Sequence, residues 1–343
     1  MRKFLLLLFI GFLLSCSERP DESFSSSFIL GSVGQLILPY DESITNPVLS
    51  SDENFWTARK SEKRILTKQN LVGYEEDRII LFLNPAVQEI RNIALSDDGS
   101  TALVNMATDE SKESQIIRLV FGTSDHQTFQ LDGSQNKMVP NPSSLSITAL
   151  TYPWDDQIVY LGTEYDELSN TAIQRLYYYN FLTDSSHVID LESGTFSLDS
   201  QGDLVGNYYH SLDVYRDLSS PDTISEFLVC QNLESSEGTT QTFKIFDTDG
   251  NINFDAKGVY EYQEIGGIQW LGKEEILLAV KRDDQWQILS VNSAGEEHIF
   301  YEGPSNTYQF QGLDLSSSGK LCITQIVYDE YADYSDVLIL SLE

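Results

Sequence analysis

The sequence predicts an all-β fold made of repeated four-stranded units, and three observations predict it. Short apolar runs recur along the chain, each bounded by Ser, Asp, Asn or Gly, the pattern of strands and their turns. One strand–turn–strand stretch, residues 93–106, returns in imperfect copies at intervals near ~45–55 residues. Each copy is followed by two more short strands. Repeats of that length holding four strands are the blades of a β-propeller.

The reference unit explains itself residue by residue. Leu95 closes an apolar strand, and Ser96-Asp97-Asp98-Gly99 turns the chain. Asp and Ser fold back on their own backbone, and Gly takes positive φ freely. Ala102, Leu103 and Val104 resume the strand. Copies lie at 48–56, 149–160, 196–205, 267–278 and 313–323. With Leu49, Leu95, Leu150, Leu198, Trp270 and Leu315 as equivalents, the intervals are 46, 55, 48, 72 and 45. Six blades follow. The 72-residue interval is expected to hold an insertion within 210–237, and a seventh, degenerate blade stays open there. The second pair of strands reads at 115–121 with 128–131, at 175–181 with 187–191, at 243–246 with 252–254, and at 287–291 with 298–300.

The turns carry a resemblance. Ser96-Asp97-Asp98-Gly99, Asp199-Ser200-Gln201-Gly202 and Ser316-Ser317-Ser318-Gly319 are similar to the first turn of the TolB-like six-bladed propeller repeat, and Asp247-Thr248-Asp249-Gly250 to a later one. The chain resembles that family over residues 28–343. The resemblance implies the fold; the family's turn proline is missing from all three copies, so no functional residue is carried over.

Residues 1–16 read as a leader. Arg2 and Lys3 precede an apolar run from Phe4 to Leu14, too short to span a bilayer. The run ends in Leu13-Leu14-Ser15-Cys16, which looks like a bacterial lipobox, with Cys16 as the lipidated residue. Two or three acyl chains would anchor the protein stably. In enteric-type lipoproteins, which this leader resembles, a residue such as Ser17 after the cysteine implies the outer membrane, facing the periplasm or the cell surface. Residues 17–27 are polar and Ser-rich, a flexible tether. Residues 28–343 are the expected propeller. Its last unit lacks a fourth strand, and residues 35–38 are expected to supply it beside 336–342, closing the ring and protecting the edges.

The formal net charge is −32, and −34 without Arg2 and Lys3. Nucleic acid is disfavoured as a partner. The second connections of the units, taken as 107–115, 163–172, 210–222, 281–285 and 328–336, hold fifteen acids and four bases. They belong to one face of the disc. With the tyrosines among them they suit a protein interface with a basic partner in the envelope. Asp329, Tyr331, Asp333, Tyr334, Asp336 and Tyr165 are the expected contacts.

Other chemistry is thinly supported. The loop from Asp247 offers oxygens at calcium-loop spacing, but Ile252 stands where the glycine belongs and Gly258 where the glutamate belongs, so a hairpin turn is expected. Weak calcium binding by 329–336 stays open; no other cofactor and no metal site are expected. The four histidines are isolated. Cys230 and Cys322 read as buried structural thiols. No catalytic signature is found, no appended hydrolase domain is expected after the last unit, and the leading reading is a non-enzymatic scaffold. The alternatives are a propeller hydrolase or lyase, or a glycan or small-ligand receptor using the central channel.

Overall fold

The computed structural model describes residues 35–40, 44–45, 47–51, 54–58, 65–71, 76–80, 87–96, 99–108, 114–120, 137–138, 145–154, 157–166, 168–200, 204–216, 224–235, 238–303, 308–328 and 335–342. Cys16 and the tether lie outside them. After β1 (Gln35–Tyr40), blade 1 holds β2 (Val48–Ser51), β3 (Asn54–Ala58), β4 (Ile65–Asn70) and β5 (Glu76–Ile80). Blade 2 holds β6 (Val87–Leu95), β7 (Thr101–Thr108), β8 (Ser114–Val120) and β9 (Lys137–Met138). Blade 3 holds β10 (Leu145–Trp154), β11 (Gln157–Asp166), β12 (Thr171–Asn180), β13 (Ser185–Leu198) and β14 (Leu204–Val205). Blade 4 holds β15 (Tyr209–Arg216), β16 (Ile224–Ser235), β17 (Gly238–Phe246) and β18 (Ile252–Asp255). Blade 5 holds β19 (Glu264–Gly272), β20 (Glu275–Arg282), β21 (Gln285–Asn292) and β22 (Glu297–Glu302). Blade 6 holds β23 (Tyr308–Leu315), β24 (Leu321–Tyr328) and β25 (Ser335–Ser341), and its sheet is completed by β1. These six antiparallel sheets make a six-bladed propeller.

Closure is as the sequence led us to expect. Strand β1 pairs antiparallel with β25 from Gln35↔Leu340 to Tyr40↔Ser335. The repeated turn is equally specific. Ser96 N–H donates to Thr101 O at 3.0 Å, Gly99 N–H to Ser96 O at 2.9 Å, and Thr101 N–H to Ser96 Oγ at 3.0 Å. In blade 6, Ser316, Gly319 and Leu321 make the same three bonds at 2.9, 2.8 and 3.2 Å. Gly99 and Gly319 sit at φ 67° and 69°, where a side chain would be strained.

The fourth copy needs correction. Residues 196–205 end β13 and form β14 at the outer edge of blade 3, and the inner strand of blade 4 is β15. The long interval therefore reflects an enlarged blade 3. At a bulge, residues 191–194 of β13 stand opposite Gln174 alone; the pairing jumps from Arg175↔Asp190 to Ile173↔Thr195. A strand–turn–strand signal cannot distinguish the inner pair of one blade from the outer pair of another, because both hide alternate residues.

The core lies between blades. Six apolar clusters each bridge two neighbouring blades around the ring. Strand β20 shows why second strands read as unbroken apolar runs. Ile276, Leu278 and Val280 pack toward blade 4, while Leu277 and Ala279 pack toward blade 6. Both faces are buried, so hydrophobic alternation disappears. Inner strands β19 and β23 approach closely. A Cβ on Gly266 would meet Phe310 O at 2.1 Å, and one on Gly267 would meet Leu313 N at 2.5 Å.

Candidate functional site

The inner strands of all six blades surround a cavity of about 610 Å³. Its lining runs from Asn92, His210 and Gly266 to the first turns at Ser96, Lys273 and Gly319, so it reaches the face of those turns. Among the described residues, two carboxylates stand in its wall. Asp213 Oδ2 accepts the main-chain N–H of Trp270 at 2.7 Å, joining blade 4 to blade 5. Asp314 Oδ2 accepts that of Leu49 at 2.7 Å, joining blade 6 to blade 1. Gln269, at the equivalent position of blade 5, donates through Nε2 to Leu313 O at 3.1 Å. A carboxylate takes such N–H bonds more strongly than a neutral acceptor does. These are ring fasteners. In blades 1 to 3 the repeat puts Val48, Ala94 and Ala149 at this position. The signal was present in the sequence as an acid inside an apolar strand, in Leu212-Asp213-Val214 and Leu313-Asp314-Leu315.

His210 also lines the cavity. Its Nδ1 lies 3.2 Å from Ser211 Oγ, and its Nε2 is buried without a partner. Burial disfavours the charged ring and holds its pKa down to about 4. A neutral His210 offers no positive charge to a ligand at physiological pH.

Buried amides stitch the blades farther out. Gln174 donates to Tyr209 O at 2.9 Å and accepts Tyr209 N–H at 2.7 Å, so one side chain completes a backbone pair between blades 3 and 4. Gln241 Oε1 accepts Ile265 N–H at 2.6 Å between blades 4 and 5. Gln325 donates to Ile44 O at 3.2 Å between blades 6 and 1. Nothing in the hydrophobic pattern flags these glutamines.

The loop face divides the expected contacts. Asp329, Tyr331, Asp333 and Tyr334 lie outside the described residues. Asp336 does not belong on a docking surface. It is 7% exposed on β25, pairs across to Ile326, and its Oδ2 takes the Tyr328 hydroxyl. Tyr165 is half-buried near the end of β11, opposite Ala172. The stretch 210–222 was misplaced among the second connections. It covers most of β15 and the link to β16, a first connection that leaves by the opposite face.

Blades 3 to 5 nonetheless present a described acidic surface on the expected face. In the turn after β11, the Asp166 carboxylate accepts the Ser169 hydroxyl at 2.7 Å and the N–H groups of Leu168 and Ser169, which together draw its pKa below the usual range. That turn holds Leu168 fully in solvent, at 101% exposure. Glu234, Glu261, Asp283 and Asp284 are exposed on the neighbouring loops, with Val259 at 67%. Lys257 is the exposed cation among the described residues of these loops, while Arg282 is held by Glu297 at 2.7 Å.

Asp247 forms a hairpin turn, its Oδ1 accepting the N–H groups of Asp249 and Asn251 at 2.9 Å each. Among the described residues no group of three or more His, Cys, Asp or Glu could hold a metal ion. Cys230 and Cys322 are free and buried, and burial pushes the Cys322 thiol up to about 12.

No protein-family model matches the chain, and no curated protein matches it. Solved structures do. The WD40 repeats of RRP9 are 10% identical at TM-score 0.52, covering 91% of this chain and 98% of that one. A luciferin-regenerating enzyme is 10% identical at TM-score 0.51, covering 90% and 95%. TolB from Acinetobacter baumannii is 11% identical at TM-score 0.47, covering 88% and 65%. The chain is a β-propeller. At such identities the likeness speaks to fold alone.

Proposed function

We propose that the protein is a non-enzymatic propeller scaffold of the TolB-like kind. Lipid on Cys16 tethers it to a bacterial outer membrane, and it docks a basic envelope protein on the face of its second connections. The observation that carries this reading is the engagement of both cavity carboxylates. Asp213 and Asp314 are spent on the backbone of the next blade, so they are fasteners and not a poised acid–base pair. Supporting it is the acidic face of blades 3 to 5, where Leu168 is presented by a hydrogen-bonded turn. A rigid apolar tip among carboxylates offers a contact that costs little ordering and a field that steers a basic partner.

The test uses two exposed leucines on opposite faces. Leu168 lies in the turn after β11, and Leu182, 80% exposed, lies in the turn after β12. A photo-crosslinking side chain at position 168 should capture one discrete envelope protein in cells, and the same group at 182 should not. Equal capture from both positions, or none from 168, overturns the docking face. Palmitate-analogue labelling of Cys16→Ser tests the anchor separately, and retained label would remove it.

A further inference from the structure

We propose that the central cavity binds a quaternary ammonium ion, held against the Trp270–Tyr215 aromatic pair in the field of Asp213 and Asp314. This site is distinct from the protein-docking face, since the cavity reaches the first turns and the docking loops lie at the other end of the strands.

The observations converge on the wall formed by blades 4 and 5. Tyr215 and Trp270 both line the cavity and are both partly exposed, with ring centroids 5.2 Å apart and planes tilted by 57°. Asp213 stands two residues before Tyr215 on β15, and its Oδ2 takes the Trp270 N–H at 2.7 Å. One carboxylate is thus fixed to the same pair of aromatic residues. Asp213 is 8% exposed, and Asp314 adds a second carboxylate to the wall from blade 6. Among the described lining residues there is no arginine, and the lysine, Lys273, is exposed in the first turn of blade 5.

These facts select a positive charge. A cleft with low-dielectric walls and one sign of charge focuses its field on the opposite sign. The buried His210 ring, with its pKa held down to about 4, is neutral near pH 7 and does not offset the carboxylates. A neutral polyol would meet the same ring faces but gain nothing from the two charges. The kind of cation follows from what the wall already uses. Asp213 and Asp314 each give an oxygen to a backbone N–H of the next blade, so what they offer a ligand is chiefly charge. Among the described residues no group of three or more His, Cys, Asp or Glu could hold a metal ion. A quaternary ammonium ion has no N–H to satisfy, and its charge is attracted to the faces of Trp and Tyr. The volume of about 610 Å³ falls within the ~300–1,000 Å³ usual for small-molecule sites.

The experiment titrates the full chain with tetramethylammonium and choline by calorimetry, in a constant ~0.15 M KCl that screens the surface charge. Both ions should bind saturably at one site per chain. Asp213→Asn keeps an oxygen for the Trp270 N–H and removes the charge. Cooperative unfolding should persist in it while affinity falls by at least ~tenfold. Tyr215→Leu removes one ring face, and affinity should fall by ~threefold or more. Asp283→Asn combined with Asp284→Asn takes two charges from the docking face and should leave affinity unchanged. An equal loss from that pair and from Asp213→Asn would mean general counter-ion binding and would overturn the site. So would the absence of saturable binding by either ion, unchanged affinity in both wall variants, or saturation by sucrose with none by choline.

Discussion

Blade 6 and the junction of blades 3 and 4 solve the same problem over very different chain distances. Blade 6 joins the two ends of the described chain. Its β1–β25 ladder is helped by Asp314 reaching Leu49 and Gln325 reaching Ile44, partners 265 and 281 residues away. Blades 3 and 4 are consecutive, yet they are fastened as heavily. Gln174 makes two bonds to Tyr209, Glu192 N–H reaches Gly250 O at 3.2 Å, and Tyr209 Oη donates to Glu192 O at 3.0 Å. The difference is in what each can lose. At the 3–4 junction the covalent chain keeps the partners near each other when a bond is cut. At the ring closure the ends are held by the ladder, its fasteners and the apolar cluster between blades 6 and 1, without help from chain continuity, and loss of the ladder exposes two strand edges.

The largest effect should follow deletion of residues 35–40. It strips β1 from β25 and should abolish cooperative unfolding by calorimetry or drive aggregation. Deletion of 17–27 should leave the transition in place. At the 3–4 junction, Gln174→Leu leaves the backbone N–H and C=O of Tyr209 unmet and should cost about 2–4 kcal/mol in denaturant unfolding. Asp314→Asn should cost less, about 1 kcal/mol, because the amide oxygen can still accept from Leu49. A larger loss from Asp314→Asn than from Gln174→Leu would invert the ranking of single fasteners.

Acid separates the inner ring from its rim. Folded His210 resists protonation until about pH 4, whereas in the unfolded chain the ring titrates near 6.5. The unfolded state therefore binds the proton first. This contribution to stability is complete above pH 6.5 and is lost progressively as the pH falls toward 4, by up to about 3 kcal/mol. Replacing His210 with Gln should flatten the wild-type stability curve across that window. An unchanged slope would mean that the imidazole is hydrated in the folded state.

The blade count, the repeated turn and the closing strand were legible because they are written in local residue types. Ser96 and Ser316 make identical turns, and the run at Leu36-Ile37-Leu38 is an apolar strand without a hairpin partner. The boundary between blades 3 and 4 was not legible, since Phe196 and Leu198 alternate with polar residues as an inner strand would. The fasteners were half legible. Asp213 and Asp314 stand out as acids within apolar strands, but Gln174 and Gln241 look like surface amides until the neighbouring blade covers them. Asp336 was misread for the converse reason. An acid after a loop reads as exposed, and only the fold brings Tyr328 across to it.

The smallest expected effect on stability is on the rim, and it bears on the function most directly. The measurement is the association rate of the protein captured at position 168, followed against salt for two charge-matched variants. One combines Leu168→Ser, Asp283→Asn and Asp284→Asn; the other combines Leu182→Ser, Asp249→Asn and Glu296→Gln on the opposite face. Both sets alter exposed residues and should move stability by less than about 0.5 kcal/mol. The account predicts that the first set slows association by about tenfold or more at low salt, a deficit that narrows as salt screens the face, while the second set associates like wild type. Equal slowing by the two sets would contradict a dedicated docking face and leave the acidity as a property of the whole surface.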